Sequence, residues 1–156
     1  MEELKPGDPL PAFSLPADGG RTISSKDLAG KGVILFFYPR DDTSGCTKEA
    51  IGFSAAQEAL AALGVTVLGV SKDSVKSHDK FVAKHDLTVA LLSDEHGDLC
   101  ERAGCWKEKN MYGKTYMGIE RTTILAGADG KIRNIWRKVK VPGHVEEVVD
   151  AARDMA

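Results

Sequence analysis

Hydrophobic and polar positions along this 156-residue chain alternate between two rhythms. Val33, Ile34, Leu35, Phe36, Phe37 and Tyr38 form an unbroken apolar run. That run is far shorter than the ~20 residues of a membrane helix and suits a strand buried on both faces. Residues 47–63 then read as a helix, 65–70 as a second apolar strand and 74–85 as a second helix. A β-α-β-α order predicts crossover connections and a sheet covered by helices.

The rhythm changes after Leu91 and Leu92 and a short helical stretch over 98–103. Residues 122–125 and 132–136 are apolar runs flanking Asp129 and Gly130, a hairpin turn signal. In 143–152, Val145, Val148, Val149 and Ala152 share one helical face, so a C-terminal helix is expected. A β-α-β half followed by a β-β-α half predicts an α/β, thioredoxin-like fold. Its central mixed sheet would be flanked by helices, with the residues before Lys31 as an N-terminal extension.

Composition narrows the function. With 42% hydrophobic residues and no repeat or linker, residues 1–156 are expected to form one domain. Lys and Arg number 21 against 23 Asp and Glu, so no basic field draws the chain to nucleic acid or an anionic membrane. The opening MEELKPGDPLPAF is acidic and broken by prolines, unlike a secretion signal, and a cytoplasmic location is expected. Three cysteines, an odd number, then argue for reduced thiols rather than a disulfide framework.

Cys46 is the thiol with the most informative surroundings. Pro39 and the run Asp41, Asp42, Thr43, Ser44, Gly45 end the strand, which places Cys46 at or just before the first helical turn. Unpaired backbone N–H groups at a helix start favour a thiolate, the nucleophilic form of cysteine. Thr43, three residues earlier, is positioned to bring a hydroxyl near the sulfur. There it could orient the two oxygens of a peroxide as charge develops on the leaving one. Cysteine is often a buried small hydrophobe, but the Gly, Ser, Thr and charged neighbours here predict a polar setting.

These residues resemble a known family. Pro39, Thr43 and Cys46 match the Pro-x-x-x-Thr-x-x-Cys signature of peroxiredoxins, extended by Thr47, Glu49 and Ala50. Segments 107–114, 118–123 and 136–144 are similar to the bacterioferritin-comigratory, or Q-type, branch. The resemblance implies a thiol-dependent peroxidase of antioxidant defence. It would reduce hydrogen peroxide and organic hydroperoxides through a Cys46 sulfenic acid, needing no cofactor or metal and working as a monomer. It implies that Thr43 orients the peroxide, that Pro39 shields the intermediate from water, and that Arg121 stabilises the thiolate and the transition state. Glu49 would orient the Arg121 guanidinium. Nothing local links Arg121 to Cys46, so its assignment rests on the resemblance.

The chain departs from the branch where a second thiol would resolve the sulfenic acid. Ile51 stands five residues after Cys46, where many members carry a cysteine, and residues 80–84 contain none. Reduction by an external, thioredoxin-like thiol is the preferred expectation. Cys105 or Cys100 acting as an unusual resolver, after local unwinding of the Cys46 helix, is the other. By residue type both read as packing thiols, and Tyr38, Trp106, Met111 and Tyr112 as core or pocket-wall residues. His96, Cys100 and Cys105 lack a fourth partner for a metal site. His78, His85 and His144 read as surface residues. A non-catalytic holdase or interaction module is the competing reading of the whole chain.

Overall fold

A computed structural model describes residues 4–155. β3 (Gly32–Phe37) lies at the centre of a five-stranded sheet, buried along its whole length. It pairs in parallel with β4 (Val65–Ser71), which pairs in parallel with β5 (Ala90–Ser93). On its other side β3 runs antiparallel to β8 (Thr122–Ala126), and β8 pairs with β9 (Ile132–Trp136). The sheet order is β5-β4-β3-β8-β9. The hairpin expected around Asp129 and Gly130 is the β8–β9 pair.

Alternation along β3 separates two cores. Val33, Leu35 and Phe37 enter one, covered by Phe13, Leu15 and Leu28 of the N-terminal segment and by Leu99, Cys100 and Cys105. Ile34, Phe36 and Tyr38 enter the other. There they meet Cys46, Ala50, Phe53 and Leu60 of α1 (Ser44–Ala62), Phe81 of α2 (Val75–His85) and Val148 of α4 (His144–Met155). The remaining helix, α3 (Leu99–Arg102), is a single turn.

Two antiparallel pairs stand outside the main sheet. β1 (Ser14–Pro16) pairs with β2 (Thr22–Ser24) in the N-terminal extension. β6 (Trp106–Met111) pairs with β7 (Lys114–Ile119) in a hairpin that the apolar pattern did not announce. Met111 and Tyr112 flank its tip and are 55% and 97% exposed, not core or wall residues. The hairpin's residues are mostly exposed, and its tip stands out into solvent.

Corrections also fall on two histidines. His78 and His144 are buried, because each has polar partners inside the fold: His78 meets Asp41 and the Leu92 carbonyl, His144 the Thr123 hydroxyl. No helix among the described residues is long and apolar enough to cross a membrane.

Candidate active site

β3 ends at Phe37, just before Tyr38 and Pro39, and residues 39–43 turn the chain into α1. Thr43 is the N-cap in extended conformation, and the first helical hydrogen bond runs from the Thr47 N–H to the Thr43 carbonyl at 2.8 Å. The Thr43 side chain does not cap the helix; its hydroxyl donates to the Arg40 carbonyl at 3.0 Å. The amides of Ser44, Gly45 and Cys46 are therefore left without a helical partner, a positive terminus that favours an anion. Cys46 occupies this first turn.

The sulfur is more enclosed than its neighbours suggest. Ser44 and Thr43 are exposed, but Cys46 is 1% exposed and packs in the second core, so the polar setting expected from adjacent residues is only half of its surroundings. Helical geometry explains the difference: consecutive residues point in different directions, and Cys46 shares its inward face with Glu49, Ala50 and Phe53.

Across from it lies Arg121, immediately before β8. Register places Thr122 beside Phe37, the last residue of β3, so the end of β8 delivers Arg121 to the turn from which α1 departs. Its Nη2 donates to Cys46 Sγ at 3.3 Å, and its Nη1 donates to Glu49 Oε1 at 2.7 Å. One guanidinium thus spans two groups one helical turn apart. A planar fork can do this, whereas a point charge cannot. Gly45 leaves room for it: a Cβ there would stand 3.2 Å from Arg121 Nη2.

Glu49 is buried, and its Oε2 has no hydrogen-bond partner. Burial raises its carboxyl to about 7, against the lowering effect of the Arg121 charge and hydrogen bond. Arg121 is itself held firmly cationic: burial works against the charge, and Glu49 and Cys46 more than restore it. A groove of about 470 Å³, lined in part by Ser44, Gly45, Lys48, Val141 and Pro142, runs beside the first turns of α1. Pro39 is exposed at the turn itself.

The other two thiols lie elsewhere. Gly104, at φ +77°, ends α3, with its N–H bonded to the Glu101 carbonyl and the Cys105 N–H to the Cys100 carbonyl, each at 3.0 Å. This is a Schellman closure, in which the residues in the places of Cys100 and Cys105 commonly make an apolar contact. Both cysteines are buried in the first core, and the sheet stands between them and Cys46. The neighbouring Cys105 thiol, burial and the Asp94 carboxylate all push the Cys100 thiol up, away from a thiolate.

Asp41, Asp73 and His78 also converge, within 4.8 Å of one another. Both Asp41 oxygens, both His78 ring nitrogens and Asp73 Oδ2 are engaged in hydrogen bonds, which makes this a bonded network and not an open ion cage.

Residues 6–135 match the model of the AhpC/TSA family. The chain belongs to that family. A putative peroxiredoxin bcp of Coxiella burnetii is 53% identical over 146 residues, covering 94% of this chain and 97% of the relative. Peroxiredoxin Bcp of Bacillus subtilis is 43% identical, covering 96% of each chain. Among solved structures, a Xylella fastidiosa PrxQ mutant superposes with a TM-score of 0.93 at 39% identity, covering 99% of this chain and 98% of its own. A Xanthomonas campestris bacterioferritin comigratory protein, studied for its alkyl peroxide reduction activity, gives 0.86 at 42% identity and covers 91% and 90%. This peroxiredoxin has the thioredoxin-like fold and the Bcp/Q branch expected from its motifs, and it is a thiol-dependent peroxidase.

Proposed function

We propose that Cys46 is the peroxide-attacking thiol and that an external thiol restores it. The observation carrying this reading is the Arg121 guanidinium, 3.3 Å from Cys46 Sγ and fixed from its other side by Glu49 at an uncapped helix N-terminus. Positive charge and free amides converge on one sulfur, the environment in which a cysteine acts as a nucleophile.

The Cys46 thiolate attacks the nearer oxygen of a hydroperoxide. An S–O bond forms, the O–O bond breaks, and the departing alkoxide or hydroxide takes a proton to leave as alcohol or water. Arg121 stabilises the developing negative charge. Thr43, whose hydroxyl can still accept a hydrogen bond while donating to Arg40, orients the substrate. Pro39 limits water at the turn. The groove beside Gly45 offers an alkyl group a place, which supports organic hydroperoxides as substrates alongside hydrogen peroxide.

A donor thiol then attacks the sulfenic sulfur and expels water. A second thiol reduces the mixed disulfide. The position of Cys100 and Cys105 across the sheet favours this external route over an internal resolver. Thr43, Cys46, Glu49 and Arg121 all come from one chain, which supports action as a monomer. A thioredoxin-like donor in a reducing cytoplasm completes the cycle.

Intact mass after one equivalent of peroxide tests both halves. A gain of one oxygen that is absent in Cys46→Ser is expected. A loss of two hydrogens, abolished by Cys100→Ser or Cys105→Ser, would overturn the external route. Equal peroxide consumption by native protein and Cys46→Ser would overturn the peroxidase assignment to Cys46 and leave a holdase or interaction role.

A further inference from the structure

Residues 39–43 decide where α1 begins, and therefore where Thr43 and Cys46 stand, yet Pro39, Arg40, Asp42 and Thr43 are all exposed. The buried member is Asp41, 8% exposed. Its Oδ1 accepts from the Tyr38 hydroxyl at 2.6 Å, and its Oδ2 accepts from the Ser77 hydroxyl at 2.7 Å and faces His78 Nδ1 at 2.7 Å. The Asp41 N–H donates to Asp73 Oδ2 at 2.8 Å. A single buried carboxylate therefore ties the turn to β3 and α2, and its backbone N–H ties it to the β4–α2 connection.

His78 is the key partner because both of its nitrogens face acceptors. Nε2 lies 2.9 Å from the Leu92 carbonyl, which can only accept, so Nε2 carries a proton. Nδ1 faces a carboxylate oxygen, which accepts as long as Asp41 is ionised. The pair then requires an imidazolium. A neutral ring would lose one of the two bonds at a fully buried position, where an unmet polar group is costly.

We propose that His78 is a positioning residue for peroxide reduction: as an imidazolium between Asp41 and the Leu92 carbonyl, it locks residues 39–43 against α2 and β5 and holds Cys46 ready to react. The proposal rests on Cys46 being the reacting thiol. His78 touches neither substrate nor sulfur and acts through Asp41.

The groups facing the ring agree with this. Asp41 approaches from the turn, Asp73 from the β4–α2 connection, the Leu92 carbonyl from β5 and the Tyr38 ring from the residue after β3, at a centroid distance of 6.5 Å. None of these is a cation. Burial pulls the imidazole down, but the Asp41 bond and charge, the Leu92 carbonyl and Asp73 together raise it above its ordinary value of 6.5. A raised imidazole contributes its full stabilisation below 6.5 and loses it as pH rises through the higher folded value. The turn is thus tightest at low pH and loosens as pH rises through that value. Asp42 adds an exposed second tie, accepting from Lys84 at 2.7 Å and facing His85 Nε2 at 2.8 Å.

Nitrogen-15 NMR of the His78 ring in native reduced enzyme, across pH 6 to 10, should show both nitrogens protonated at pH 7 and a titration above the ordinary histidine range. His78→Gln can still donate to Leu92 but cannot hold the charge. It should slow Cys46 oxidation by hydrogen peroxide tenfold or more and erase an alkaline fall in rate that follows the ring titration. A singly protonated ring at pH 7 would overturn the proposal, as would an unchanged rate and pH profile in His78→Gln. If that variant does not fold, the ring titration and rate profile of native enzyme decide alone: an alkaline fall that does not follow the ring refutes it. Peroxide consumption by native protein that survives Cys46→Ser would instead indict the site assignment, a separate failure.

Discussion

Replacing Glu49 by Gln in a Cys46→Ser background isolates the buried carboxyl from the thiol beside it. Burial raises Glu49 from 4.5 to about 7, with Arg121 offsetting only part of the rise. At about 1.4 kcal/mol per tenfold change in proton affinity, that rise corresponds to about 3 kcal/mol between folded and unfolded chains. The folded state holds the proton more tightly, so Glu49 lowers stability as pH climbs from 4.5 to about 7, and the loss is complete above that. Gln does not ionise. Urea unfolding of parent and Glu49→Gln proteins at pH 5 and pH 8 should therefore show the variant losing about 2.5 kcal/mol less stability over that interval, most of the full difference. Groups common to both proteins, His78 among them, cancel in the comparison. Parallel pH dependences would refute the claim that Glu49 is an ionisable group held at a cost. In the presence of Cys46, the same substitution should slow peroxide reduction above pH 7, because a neutral amide holds the guanidinium more weakly than a carboxylate.

Arg121→Lys keeps the charge but cannot donate to both Cys46 and Glu49, so stopped-flow oxidation of Cys46 should slow by about 10- to 100-fold, the loss of one charge-assisted bond. Retention of the full rate would show that charge alone is enough. Gly45→Ala should separate stability from activity. Alanine favours a helix by up to about 1 kcal/mol, yet its Cβ would press on Arg121 Nη2, so thermal stability should hold or rise while the peroxide rate falls. A faster variant would mean that Arg121 does not need its present place.

The sequence showed most clearly what repeats at a short period. The β3 run, the α1 and α4 faces and the β8–β9 hairpin are local patterns of apolar residues, and each appears within a few residues of its expected limits. The β6–β7 hairpin escaped because its two faces are mostly polar, so its strands never alternate in the way a half-buried strand does. The place of Cys46 at the start of a helix was legible from its turn and its motif, but its burial was not, since the polar residues around it point elsewhere. Arg121 reaches the sulfur from 75 positions away through the pairing of β8 with β3, a long-range register that no local spacing encodes. His78 was hidden for the same reason: its partner Asp41 is 37 residues distant, and a histidine without a visible partner looks like a surface residue.

The β3-centred sheet also acts as a partition between sulfur atoms. One thiol lies beside the Arg121 guanidinium, while two sit beyond a layer of backbone, one of them pushed away from the thiolate by its surroundings. On the external route proposed above, an enzyme divided in this way would not seal itself into a disulfide after each reaction. Left without a donor, each molecule on that route would keep its sulfur as a sulfenic acid open to further oxidation, so that its survival would depend on the thiol supply of its surroundings as directly as on the peroxide load.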